Sequence, residues 1–71
     1  MNNEQRNKLA HKGAIIQRII DRLHTDLDAL DAKLSATGDL SAEDIARRNR
    51  LYAILGELYH TKRFIEAELS K

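Results

Sequence analysis

The sequence predicts an all-α protein, an antiparallel two-helix hairpin of coiled-coil type, and three observations predict it. Apolar residues recur at alternating steps of three and four along two long stretches. One short segment between them carries turn chemistry, and no proline interrupts either stretch. The composition agrees, being rich in Ala, Leu and Ile with three glycines and 42% hydrophobic residues.

In the first stretch Leu9, Ile16, Leu23 and Leu30 recur every seven residues, and Ile20, Leu27 and Leu34 follow at an offset of four. This alternation defines one apolar stripe, the seam of a coiled coil, and predicts a helix over about 4–36. Gly13 falls inside that helix, where glycine costs roughly 1 kcal/mol relative to alanine. It marks either a close approach of another backbone or the point up to which the N-terminal dozen residues fray.

The turn is Ser35-Ala36-Thr37-Gly38-Asp39-Leu40-Ser41, with residues 37–41 linking the helices. Gly38 suits the left-handed residue that ends a helix. Ser41 suits the N-cap of the next one, with Asp44 placed to answer it in a capping box and Leu40 and Ile45 spaced as a hydrophobic staple. Glu43 and Asp44 add negative charge where the helix dipole favours it.

The second helix is predicted over about 42–70. Leu51, Leu55, Leu58, Ile65 and Leu69 continue the three-four rule, with Lys62 at the one polar seam position. A loop of about five residues makes the two helices antiparallel neighbours, and folding about it brings residue i near residue 79 − i. Asp28 and Asp31 then fall beside Arg48 and Arg50, and Lys12 beside Glu66 and Glu68. Each exposed pair is worth under ~1 kcal/mol, but the agreement of sign favours the hairpin over one continuous helix.

The chain carries more apolar surface than one seam per helix needs. Ile45, Tyr52 and Tyr59 form a further seven-residue series on the second helix, and together with Ile54 they widen the apolar arc to about half the helix circumference. Ile15 and Ile19 extend the first helix's stripe, and Phe64 points away from the Leu58 line towards Ile15 of the closed hairpin. Such surface marks a contact face, and a chain this short without cysteine needs association to be stable. The hairpin is thus expected to be completed into a bundle, by a second copy or by helices of another protein. The alternative is that Tyr52 and Tyr59 lie flat along the hairpin with their hydroxyls in water. The partner-binding set is read as Ile15, Ile19, Ile45, Leu51, Tyr52, Ile54, Leu55, Leu58, Tyr59, Phe64 and Ile65.

Other chemistries find little to build on. With no cysteine there is no disulfide, thiolate metal site or thiol catalysis. Glu57-Leu58-Tyr59-His60 has the Glu-x-x-His spacing of carboxylate metal sites in bundles. Its one opposed acid is Asp21, and both side chains point off the seam, so they read as a solvated face; no metal and no cofactor is expected. His24 and Asp28 read as a surface pair one turn apart. No serine, histidine and acid are placed to meet, and the single glycine turn lacks a P-loop's lysine, so no catalytic residue is assigned.

Twelve basic against 11 acidic residues give a net charge of +1, with acids interleaved around Arg47, Arg48 and Arg50. That disfavours a nucleic-acid face. No unbroken apolar run exceeds the five residues Leu51-Tyr52-Ala53-Ile54-Leu55, and Met1 to Lys12 is mostly polar, with no apolar run longer than Leu9-Ala10. Neither a membrane span nor a secretory signal is read, and a cytoplasmic protein is expected.

Leu23-x3-Leu27-x2-Leu30-x3-Leu34, the Gly38-Asp39 turn and the second-helix residues Leu55, Leu58, Ile65 and Leu69 together resemble the small E-type co-chaperones of type III secretion needle subunits. The resemblance spans most of the chain, although the Ser41/Asp44 cap has no counterpart in it. It implies a cytoplasmic, non-catalytic hairpin that binds a larger helical-repeat chaperone, both keeping a needle subunit from polymerising. The residues it implicates are Leu51, Ile54, Leu55, Leu58 and Ile65 with Ile15 and Ile19. The functional expectation is an adaptor or co-chaperone that engages a helical protein; the alternative is a homodimeric four-helix bundle that binds nucleic acid in a regulatory role.

Overall fold

The computed structural model describes residues 2–71, all in or beside two α-helices, α1 (Asn3–Thr37) and α2 (Ala42–Leu69). The helices lie antiparallel in a rod 52 Å long and 15 Å across, the length that 35 residues at 1.5 Å each require. Each observed end lies within one residue of the expected boundary.

The ends are set by side chains. Asn2 caps α1 by accepting a hydrogen bond from the Gln5 backbone N–H at 2.8 Å, and the Gln5 side chain accepts from the Asn2 N–H, a full capping box. This Asn-x-x-Gln pattern escaped the sequence reading. Helix α1 then runs unbroken through Gly13, so the expectation that the first dozen residues fray gives way to a capped helix. The other reading of Gly13 also fails within the chain. A Cβ there would lie 3.6 Å from Ile65 Cγ2, an ordinary contact, so the hairpin has no need of a glycine at that position.

At the far end Gly38 closes α1 with φ 75°, its N–H donating to the Leu34 carbonyl. Ser41 Oγ accepts from the Asp44 N–H at 3.1 Å. The capping box expected at Ser41 forms only in that half. The Asp44 carboxylate is drawn instead to the Lys33 ammonium across the turn.

The core is a single seam. Ile16, Ile20, Leu27 and Leu30 of α1 meet Leu51, Leu55 and Ile65 of α2, with Leu9, Leu23, Leu58 and Leu69 packed against them. Ile20 is the most deeply buried, at 1% exposed. Lys62 keeps its place in the seam by laying its stem there and reaching out to Glu66 at 3.8 Å.

Candidate interaction surface

The seam divides the rest of each helix into two flanks. Helical residues advance about 100° each, so those just after seam positions line one side and those just before line the other. On α1 the following residues are Gln17, Asp21, His24, Asp28 and Asp31; on α2 they are Tyr52, Gly56, Tyr59 and Arg63, with Ile45 continuing the line. One contact between the rows shows that they lie on the same side of the hairpin, and a second, through Arg48 beside the Tyr52 ring, agrees. His24 Nε2 is 2.7 Å from the Tyr59 hydroxyl, and Arg48 Nε is 3.7 Å from Asp31 Oδ1. The preceding residues form the opposite flank: Lys8, Lys12, Ile15, Ile19, Arg22, Asp26 and Lys33 on α1, with Arg50, Ile54, Glu57, Phe64 and Glu68 on α2.

Both flanks carry exposed apolar side chains. Ile45, Tyr52 and Tyr59 lie on the tyrosine flank; Ile15, Ile19, Ile54 and Phe64 lie on the isoleucine flank. Their exposures range from 38% for Tyr59 to 62% for Phe64. Four members of the expected partner-binding set do not belong to this surface. Leu51, Leu55 and Ile65 are buried in the seam and Leu58 is half-buried against it. The reason is geometric, because a hairpin spends the centre of each apolar arc on its own closure and leaves only the margins for anything else.

Each tyrosine makes one polar or charged contact within the hairpin. Tyr59 shares its hydroxyl with His24, while the Arg48 guanidinium sits 5.4 Å from the centre of the Tyr52 ring. Neither contact was foreseen, although the rule that same-side rows meet would have paired His24 with Tyr59. The expected His24–Asp28 pair does not form; His24 turns across to α2 instead. Arg48 is also tied down by Asp31, and its Nε is shut off from water with no hydrogen-bond partner. The densest basic cluster therefore has its middle member engaged within the hairpin.

Of the charge pairs expected between the helices, Asp31–Arg48 forms. Lys12 does not reach Glu66 or Glu68, which pair with Lys62 and Lys71 on their own helix. Glu57 and His60 are both exposed. Among the described residues no three His, Asp or Glu side chains gather as a metal site would require, and no helix is long and apolar enough to cross a membrane. Compared with protein-family models, curated proteins and solved structures, the chain matches none.

Proposed function

We propose that this hairpin is a non-catalytic association module, an adaptor or co-chaperone that engages a helical protein through its exposed flanks. One observation carries the reading: seven large apolar side chains stand 38–62% exposed on a rod whose own seam is already filled. Covering each fully contributes ~1.5–3 kcal/mol before association costs are subtracted. Aromatic side chains commonly dominate such contacts, which makes Tyr52, Tyr59 and Phe64 the principal anchors. The resemblance to needle-subunit co-chaperones fits the same reading and would place the module in the cytoplasm.

The test is a double substitution, Tyr59→Ala with Phe64→Ala, which removes one anchor from each flank and none from the seam. Association, read as mass by light scattering across a concentration series and as a co-purifying protein that resists high salt, is expected to weaken. Helicity by circular dichroism is expected to stay. A native chain of single-copy mass at every concentration, with no protein held through a salt wash, would sink the proposal.

A further inference from the structure

The two flanks differ in charge, and the difference specifies what one of them receives. On the tyrosine flank α1 presents Asp21, Asp28 and Asp31 with no lysine or arginine in the same row from Gln17 to Asp31. On the isoleucine flank the same helix presents Lys8, Lys12, Arg22 and Lys33 against one acid, Asp26; on the α2 walls Arg63 lies at the chain-end edge of the tyrosine flank and Glu57 on the isoleucine flank. Asp21 and Asp28 are seven residues apart, as are Tyr52 and Tyr59. The antiparallel register sets Asp21 level with Tyr59 and Asp28 level with Tyr52. An acid on one wall and an aromatic ring on the other thus recur together every two helical turns, about 10.5 Å along the rod.

Asp31 is neutralised by Arg48 and Asp21 accepts a hydrogen bond from Gln17 at 2.9 Å. Asp28 has no partner among the described residues. Gly56 lies on the α2 wall between the two tyrosines, and beside its Cα there is open space. A mid-helix glycine costs about 1 kcal/mol against alanine, and nothing inside the hairpin requires it there. It leaves a notch between the rings.

We propose that the tyrosine flank is a docking groove for a basic amphipathic helix. That helix would lay an apolar stripe along Ile45, Tyr52 and Tyr59 and set lysine or arginine, one per heptad, against Asp21 and Asp28. The groove's charge and its repeat argue for this occupant, since an acidic or neutral helix would leave Asp28 unpaired at the contact. The inference rests on the association reading above and deepens it by naming the partner's chemistry and the flank it takes.

The experiment is a selection on the full chain from a displayed library of helical peptides, with leucine fixed at three-four spacing and all flanking positions randomised. Recovered peptides are expected to carry lysine or arginine along one edge of the leucine stripe. They are expected to bind at least about tenfold more weakly to the Asp21→Lys/Asp28→Lys and the Tyr52→Ala variants, and to weaken as salt rises. Both sites are exposed, and unchanged circular dichroism checks that these variants keep the fold. Binders with no basic bias, or binders sensitive to Ile15→Ala and Phe64→Ala instead, overturn the inference but leave the association reading standing. A selection that yields nothing, with the native chain of single-copy mass, overturns both. Binding by a second copy's Lys8-to-Arg22 face, seen as growing mass lost on Asp28→Lys, would also overturn it, because the occupant would then be this chain.

Discussion

The loop half of the hairpin and its open half are held together by different forces. Every polar contact between the helices among the described residues lies in the loop half: Lys33–Asp44, Asp31–Arg48 and His24–Tyr59. Towards the chain ends the ion pairs and hydrogen bonds run within a single helix, as in Glu4–Lys8, Gln17–Asp21, Lys62–Glu66 and Glu68–Lys71. There the helices are joined by apolar contact alone, through Leu9, Ile16, Ile20, Ile65 and Leu69. Polar contacts are directional and fix register; apolar ones supply most of the energy but tolerate sliding. The half that fixes the alignment is therefore separate from the half that depends on burial. Ile15, Ile19 and Phe64, the apolar side chains left open near the chain ends, belong to the second.

The largest effect should come from breaking the open half. Ile20→Ala removes the most deeply buried side chain and leaves a cavity the two rods cannot easily close, a loss of about 2–5 kcal/mol. That is a large share of what so short a chain can have. Urea denaturation reads the loss. Amide exchange is expected to accelerate first in the open half, residues 3–20 and 60–69, while the loop half keeps its protection. Uniform acceleration along both helices would mean that the two halves are one cooperative unit and that the comparison has no energetic meaning.

A smaller effect of opposite sign is expected at Gly13. A methyl group there meets Ile65 Cγ2 at 3.6 Å, an ordinary contact, and removes the glycine penalty of about 1 kcal/mol. Gly13→Ala should raise stability by roughly that amount and slow exchange in the first third of α1. Loss of stability would show that the open half packs more tightly than its apolar contacts suggest.

The fold was legible because its determinants are periodic or local. The three-four spacing of Leu9 to Leu34 and of Leu51 to Leu69 names the seam, and Gly38 and Ser41 name the two helix ends at the turn. What stayed hidden depends on choices that spacing does not record. A long lysine can pair on its own helix or across the gap, so Lys33 took Asp44 while Lys62 took Glu66 and left Lys12 alone. The surface was legible in outline, since every exposed large apolar side chain had been marked as one. Its division was not: Leu51, Leu55 and Ile65 look like their exposed neighbours until the hairpin closes and takes the centre of the arc for itself. The difference in charge between the two rows of α1 is also present in the sequence, but it acquires meaning only when His24 and Tyr59 show which rows face the same way.

The smallest expected effect belongs to the loop half and separates the two halves by pH. The Asp44 carboxyl titrates below its ordinary range, chiefly because Lys33 donates a hydrogen bond to it. Partial burial opposes this, while the Ser41 hydroxyl and the charges of Lys33 and Arg47 add to it. A carboxyl more acidic in the folded chain than in the unfolded one binds fewer protons when folded. Stability from it is therefore present above the unfolded value, about pH 4, and is lost as pH falls through the lower folded value. The melting-temperature gap between the native chain and Asp44→Asn should accordingly be open at pH 7 and close as the pH is lowered towards about 2. The Ile20→Ala deficit is apolar in origin, so it should persist over the same range. A gap at Asp44 that does not narrow in acid would mean that the Lys33 contact contributes nothing, and that the loop half, like the open half, stands on its seam.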